Sequence, residues 1–128
     1  MKDPNIRLVL DTTAILAYAE TSIHVGETIA EVLDEGGRFG LPVYCLAEAT
    51  RRVPDKHAEG VTFLTRHPQC EILGTAREDW TLLAAFSRAL GRVDLAVTLM
   101  EATDRPACYV LSAEPEAYGD DDMPVIGI

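Results

Sequence analysis

The sequence has no feature that would place it outside ordinary soluble globular domains. No stretch approaches the roughly 20 consecutive apolar residues that a membrane helix needs, so we expect no contact with a membrane. The opening "MKDPNIRLVL" lacks the apolar stretch of a secretory signal, which predicts a cytoplasmic protein. No repeat, low-complexity tract or linker divides the 128 residues, so we expect residues 1–128 to form a single domain with its own core.

Cysteine is scarce, and its spacing predicts no disulfide or metal site. Cys45, Cys70 and Cys108 form no CxxC pair, and each lies in an apolar segment. We expect all three to be reduced core thiols, in keeping with a cytoplasmic protein.

Basic residues are also few, because 11 Lys and Arg stand against 21 Asp and Glu, giving a formal net charge of −10. Such a chain repels nucleic acid at long range unless its cations gather on one face, but it favours a basic partner or a divalent metal. Nine of the basic residues are Arg, whose planar fork suits carboxylate or phosphate. Two groups stand out, and the alternative for both is a solvated helix face: Arg51, Arg52 and Lys56, then Arg88 and Arg92.

What the chain does have is a regular alternation of apolar strands and amphipathic helices. Strands are predicted over 6–11, 38–42, 70–74, 106–113 and 123–128, with helical segments between them. This order predicts an α/β fold, a three-layer sandwich with a mostly parallel central sheet of about five strands flanked by helices. Ligands of such sheets bind beyond the carboxyl ends of the strands, where the sequence places Asp11 and Glu114.

The helix predicted over 77–91 has the most regular apolar spacing. We expect Asp79 to cap it, Gly91 to end it, and Trp80, Leu83 and Leu90 to share its buried face.

Four acidic residues are candidates for chemistry, and each also has a purely structural interpretation. Asp11 or Asp94 could cap the helix that follows it, worth about 1 kcal/mol. Glu114 precedes a proline suited to a first helical position. Glu48 could pair with an arginine three or four residues further along its helix, worth a few tenths of a kcal/mol.

Taken together, the four acids indicate a metal site. Two unit charges 4 Å apart repel by about 4 kcal/mol at an effective dielectric near 20, so a carboxylate cluster needs a cation. Carboxylate oxygens suit Mg²⁺ or Mn²⁺, which bind through a few protein ligands, water and substrate phosphate. Such a site can activate water for phosphodiester hydrolysis.

The segments that carry these acids resemble a known family when taken in order. "VLDTTAIL", "LPVYCLAEA", "GRVDLAVTLMEA" and "YVLSAEPEAY" resemble the PIN domain, in particular the small VapC-type toxins of bacteria. The resemblance runs from Ile6 to the closing "PVIGI". It implies a metal-dependent endoribonuclease, commonly homodimeric, that is silenced by a small antitoxin protein inserting into the acidic groove.

The resemblance also assigns roles to residues. Asp11 would be the central ligand of Mg²⁺ or Mn²⁺, and Asp94 a second ligand. Glu48 would bind the metal or orient the attacking water. Thr13 resembles the hydroxyl residue often found just past the first acid. Apart from the resemblance, both basic groups neighbour one of these acids in sequence, so we expect RNA phosphates to be contacted by Arg51, Arg52 and Arg92 above all.

The fourth motif departs from the family pattern. Where the family has Thr-x-Asp, this chain has Ser112, Ala113 and Glu114. Ser112 keeps the hydroxyl and Glu114 keeps the charge as the fourth catalytic acid and a metal ligand. Its extra methylene moves the carboxylate by about 1 Å or more, and catalytic geometry tolerates little displacement. Glu116 is an alternative fourth acid.

Two other functions remain open from the sequence. The altered fourth acid and the charge of −10 are compatible with a catalytically degenerate PIN-like binding module. "LVLDTTAIL" also superficially resembles phosphotransfer enzymes of the haloacid-dehalogenase type, with Asp11 as nucleophile. That family has a second Asp two residues later, and this chain has Thr13 there.

Overall fold

Five parallel strands form one sheet with helices on both sides, which confirms the predicted α/β architecture. The computed structural model describes residues 2–128. The strands are β1 (Ile6–Leu10), β2 (Arg38–Pro42), β3 (Cys70–Leu73), β4 (Tyr109–Ser112) and β5 (Val125–Gly127). The α-helices within these residues are α1 (Thr12–Ala19), α2 (Ile23–Asp34), α3 (Val43–Arg52), α4 (Ala58–Thr65), α5 (Trp80–Leu90) and α6 (Val93–Thr103). Short 3-10 turns span Asp55–His57, Arg77–Asp79 and Pro115–Tyr118.

The strand order places β1 at the centre of the sheet. The order is β3-β2-β1-β4-β5, and every neighbouring pair is parallel. The chain builds one half of the sheet from β1 to β3 and then crosses to add β4 and β5 on the other side of β1. The carboxyl ends of β1 and β4 therefore flank the point where the winding reverses, the usual position of a ligand site in an open α/β sheet.

The pairing of β1 with β2 is irregular near its start. The register shifts between Ile6 and Leu8, which leaves Arg7 as an extra residue on β1. Side chains alternate along a strand, and the shift lets Ile6 share one face with Val9 while Leu8 packs on the other.

Two apolar cores lie on the two faces of the sheet, as a three-layer sandwich requires. One lies between the sheet and α1 to α4, and the other beneath α5, α6 and the last 3-10 turn. The first core includes Leu8, Ile15, Val25, Phe39 and Leu64, and the second includes Val9, Leu95, Leu99, Val110 and Tyr118.

A glycine lets α1 and α4 cross closely. A Cβ atom at Gly60 would lie 2.7 Å from the Cα of Ala19, too close for any side chain. The end of α1 is therefore fixed against α4, while its start follows directly from β1.

Helix α5 agrees with its predicted end but not with its predicted start. It ends at Gly91, which has a left-handed φ of 79°. Asp79 does not cap it, because this residue closes a 3-10 turn with φ −88° and ψ 8° and makes no capping hydrogen bond. An N-cap residue needs extended backbone. Trp80 is 68% exposed, because α5 packs mainly against α6 along the narrower stripe that contains Leu83 and Leu90.

Helix α6 is buried along nearly its whole length and carries an acidic residue near each end. Asp94 lies in its first turn and Glu101 near its last. No helix among residues 2–128 is both long enough and apolar enough to span a bilayer.

Candidate functional site

Asp11 follows β1 at the carboxyl edge of the sheet and is only 1% exposed. Its Oδ1 accepts hydrogen bonds from the Ala14 amide at 3.0 Å and from Thr13 Oγ1 at 2.7 Å. The structural interpretation of Asp11 as a helix cap is therefore confirmed, since Asp11 is the N-cap of α1. Its Oδ2 accepts a hydrogen bond from the hydroxyl of Tyr118 at 2.8 Å, so a second element also holds this carboxylate.

Tyr118 is a site residue that the sequence analysis missed. It is buried in the 3-10 turn that follows β4, 107 positions from Asp11. Burial, together with the negative charge of Asp11, raises the pKa of Tyr118 well above its ordinary value, so the phenol keeps its proton and donates it. One feature of the sequence could have identified it: a tyrosine in the short segment that follows the end of a predicted strand.

Two hydroxyl groups join the ends of β1 and β4. Thr13 Oγ1 lies 3.4 Å from Ser112 Oγ and accepts a hydrogen bond from the Ala113 amide at 2.9 Å. Ser112 Oγ in turn accepts from the Glu114 amide at 2.9 Å. Both predicted supporting hydroxyls thus fix the backbone that presents Glu114.

Arg92 connects the remaining two acids. Its Nε and Nη2 donate to the two carboxylate oxygens of Asp94, at 3.1 and 2.8 Å, and its Nη1 donates to Glu114 Oε2 at 2.7 Å. These hydrogen bonds and the two negative charges raise the pKa of Arg92, so the guanidinium is firmly charged. A continuous chain of contacts therefore runs from Asp11 through the two hydroxyls and Glu114 to Arg92 and Asp94.

Cys45 packs beneath Asp94 and ties α3 to α6. Its Sγ donates to the Asp94 carbonyl at 3.4 Å and lies 3.2 Å from Thr98 Oγ1. Burial raises the pKa of the Cys45 thiol to about 11, so it is neutral and unreactive. All three cysteines are free; Cys45 and Cys108 are buried and Cys70 is half-buried.

Glu48 lies outside this chain of contacts. It follows Cys45 by one turn of α3, and its carboxylate accepts a hydrogen bond from Arg51 Nε at 2.8 Å. The pair with Arg51 is the structural interpretation of Glu48. Arg52 and Lys56 are exposed near the end of α3, so this basic group lies at the protein surface.

The donor set has the chemistry of a hard-cation site. Asp11, Asp94 and Glu114 supply carboxylate oxygens, and with Arg92 they leave a formal charge of −2. Oxygen donors with excess negative charge suit Mg²⁺ or Mn²⁺. Within residues 2–128 no three His, Cys, Asp or Glu side chains already form a metal-binding group. The guanidinium of Arg92 is the cation that stands between two of the acids.

A large surface cavity lies away from these acids. It has a volume of about 780 Å³ and opens between the end of α1 and α4, beside Tyr18, Gly60 and Phe63. None of the predicted site residues lines it.

No protein-family model matches the chain, and no curated protein matches it.

Proposed function

We propose that this protein is a Mg²⁺- or Mn²⁺-dependent endoribonuclease of the PIN type, which hydrolyses RNA phosphodiester bonds. The observation that carries the proposal is Asp11, a buried carboxylate at the carboxyl end of the central strand. Contacts join it to Glu114 and Asp94 at the reversal of the sheet.

In this proposal Asp11, Asp94 and Glu114 would hold the metal. A bound Mg²⁺ or Mn²⁺ would polarise the phosphate and lower the pKa of a water molecule. Tyr118 and Thr13 orient the Asp11 carboxylate by hydrogen bonds to its two oxygens, as second-layer donors do in metal sites. Glu48 would complete the site as a ligand or as the group that orients water.

The basic residues of the proposed RNA path lie in two places. Arg51, Arg52 and Lys56 form a group on and after α3, and Arg92 borders the acids directly. Because the whole chain carries −10, RNA affinity would depend on these few cations and would fall as salt rises. The resemblance adds three further proposals: a small antitoxin that covers the acids, a homodimer and a cytoplasmic location.

The direct test is cleavage of a mixed RNA pool by the purified protein with Mn²⁺, with Mg²⁺ and with a chelator. Asp11→Asn keeps an acceptor for the α1 cap but removes the charge. We expect it to lower metal-dependent cleavage by about 100-fold or more. Asp34→Asn, at the exposed end of α2, is the matched control and should cleave normally. Equal cleavage by both variants would refute the proposal.

A second candidate is a PIN-like binding module that does not cleave, and one observation favours it. Arg92 already neutralises part of the charge on Asp94 and Glu114, so the site holds a cation of its own. This candidate predicts that partner or RNA binding persists while no metal gives cleavage dependent on Asp11.

A further inference from the structure

Arg92 occupies the acids more completely than an ordinary surface arginine would. Three guanidinium nitrogens each donate to a carboxylate, and both oxygens of Asp94 are engaged. Such a fork is the strong, geometrically specific form of a charge-assisted hydrogen bond. The residue lies directly before α6, two positions from one of the acids that it binds.

We propose that Arg92 is an internal counter-ion that sets the affinity of the site for a divalent cation, because the guanidinium and the cation compete for Asp94 and Glu114. The inference rests on the proposed function, which takes these two acids as metal ligands. The inference adds that, in the metal-free protein, the guanidinium of Arg92 holds Asp94 and Glu114 together.

The competition follows from which atoms are used. The hydrogen bonds of Arg92 take up both oxygens of Asp94 and Oε2 of Glu114. A cation that binds these carboxylates uses oxygens that already accept hydrogen bonds from Arg92, and it is repelled by a guanidinium held against them. Cation binding and pairing with Arg92 therefore weaken one another at these oxygens.

The position of Arg92 allows it to leave. Its side chain is 41% exposed, and the residue before it, Gly91, ends α5 with a left-handed backbone. An exposed ion pair is weak because water and salt screen it. Asp94 is only 12% exposed, so its carboxylate would lose Arg92 only as the added cation takes over its charge. The freed guanidinium would still lie beside the site, where a substrate phosphate would be bound.

Calorimetric titration of the folded protein with Mn²⁺, without RNA, tests this directly. Arg92→Gln keeps a polar side chain but removes the charge, and we expect it to bind Mn²⁺ about tenfold more tightly, equivalent to about 1.4 kcal/mol. Arg92→Lys keeps a charge without the fork, so it should fall between the two. Arg77→Gln removes an exposed arginine in the 3-10 turn before α5 that makes no salt bridge within residues 2–128, and its dissociation constant should equal that of the wild type.

A spectroscopic measurement reports on Arg92 itself. In a ¹H–¹⁵N spectrum of the wild type, the Nε–H resonance of Arg92 should move toward the position of a solvated arginine as Mg²⁺ saturates the site. The resonance of Arg77 should stay in place. Circular dichroism of every variant confirms that each is folded before its affinity is compared.

The outcomes separate this inference from the proposed function. Tighter Mn²⁺ binding by Arg92→Gln than by the wild type, with unchanged binding by the control variant, supports the inference. Binding by that variant but not by the wild type also supports it, while refuting a metal-dependent activity for the natural chain. Equal or weaker binding by Arg92→Gln overturns the inference and leaves the metal site intact. Failure of every variant to bind Mn²⁺ overturns both.

Discussion

The two ends of α6 each hold a carboxylate against an arginine, yet the two settings differ. At its start Asp94 pairs with Arg92 at the carboxyl edge of the sheet, and near its end Glu101 pairs with Arg105 at the amino edge. The side chain of Arg92 is 41% exposed and that of Arg105 only 4%. Both acids are largely buried, at 12% and 5% exposure, so the two pairs differ in whether the arginine reaches solvent.

The amino-edge group is balanced, since Lys2 also pairs with Asp104 at 3.3 Å and two cations therefore face two carboxylates. Glu101 accepts from Arg105 Nη1 at 2.9 Å and from Lys2 Nζ at 2.8 Å, so both of its oxygens have a cationic donor. Arg105 also donates to the Asp3 carbonyl at 3.0 Å. The group holds the first residues of the chain against the end of α6. It leaves no unpaired charge for a ligand to neutralise.

The carboxyl-edge group is unbalanced. One guanidinium serves both Asp94 and Glu114, and the buried Asp11 lies at the other end of the same chain of contacts. Negative charge that the protein does not neutralise is a requirement for holding an added cation. The contrast teaches that burial and charge balance, rather than the residue types, distinguish a structural ion pair from a candidate site.

The largest stability effect should come from breaking the amino-edge pair. Arg105→Met leaves Glu101 buried with Lys2 alone, and removing one partner of a buried pair costs about 3–5 kcal/mol. We expect urea denaturation to show a loss at the lower end of that range. A loss below about 1 kcal/mol would mean that this pair is no more structural than the one at Arg92.

A double-variant cycle checks the cause of that loss. Replacing both partners of a buried ion pair with apolar residues is often neutral or stabilising. The double variant Glu101→Leu, Arg105→Met should therefore recover much of the stability that Arg105→Met loses. Additive losses would indicate lost packing instead of an unpaired charge.

The next effect concerns the hydrogen bond that steadies Asp11. Tyr118→Phe removes the donor to Oδ2 of a buried carboxylate, and a buried acceptor left unsatisfied costs about 1–3 kcal/mol. We expect a loss of about 1–2 kcal/mol in the free energy of unfolding, together with reduced metal-dependent cleavage. Tyr109→Phe, on a side chain that is exposed, should change neither quantity.

A smaller effect is expected for Arg92→Met, the counterpart of the Arg105 substitution at the other end of α6. Asp94 is only 12% exposed, but Arg92 reaches solvent, where ion pairs contribute about 0–1 kcal/mol, so the loss in urea should be about 1 kcal/mol and well below that of Arg105→Met. It should shrink further in 1 M salt, where screening is strong. A loss of unfolding free energy as large as that of Arg105→Met would mean that the ion pairs at the two ends of α6 stabilise the fold equally.

The smallest effect is the contribution of Lys2. Partial burial lowers its pKa, but the hydrogen bonds and negative charges of Glu101 and Asp104 together outweigh burial and raise the pKa above 10.5. A raised lysine pKa adds stability below the unfolded value, and this is lost as pH rises through the folded value. The wild type should exceed Lys2→Met by a few tenths of a kcal/mol at pH 8. That difference should disappear as the pH rises through the raised pKa of Lys2; a difference that stays constant across this range would contradict the prediction.

The fold was largely predictable because its signals are local. The strand over 38–42 was predicted with the bounds that β2 has, and Gly91 was predicted as the end of α5. The placement of Asp11 at the end of a buried strand also followed from the sequence. Apolar runs, period and terminating glycines act within a few residues, so a single chain displays them.

The side-chain pairing was not predictable in the same way. Tyr118 reaches Asp11 across 107 positions, and Arg92 reaches Glu114 across 22. These contacts depend on where loops bring side chains, which no periodicity encodes. Arg92 was predicted as an RNA contact from its charge and its neighbourhood to Asp94, whereas the structure shows it bound to two acids. Asp79 failed as a cap because a 3-10 turn fixes its backbone.

The extra residue in β1 has a consequence for how the two edges of the sheet depend on one another. From Leu8 onward the strand is in step with both β2 and β4, and only Ile6 is out of phase. Arg7 therefore accommodates the change of register at the start of β1. Deleting it would pull the segment before β1 and disturb Lys2 and Asp3, while the count of residues from Leu8 to Asp11 would be unchanged. The number of residues from Leu8 to Asp11, and not the length of the chain before Leu8, therefore fixes the face of the sheet on which Asp11 lies.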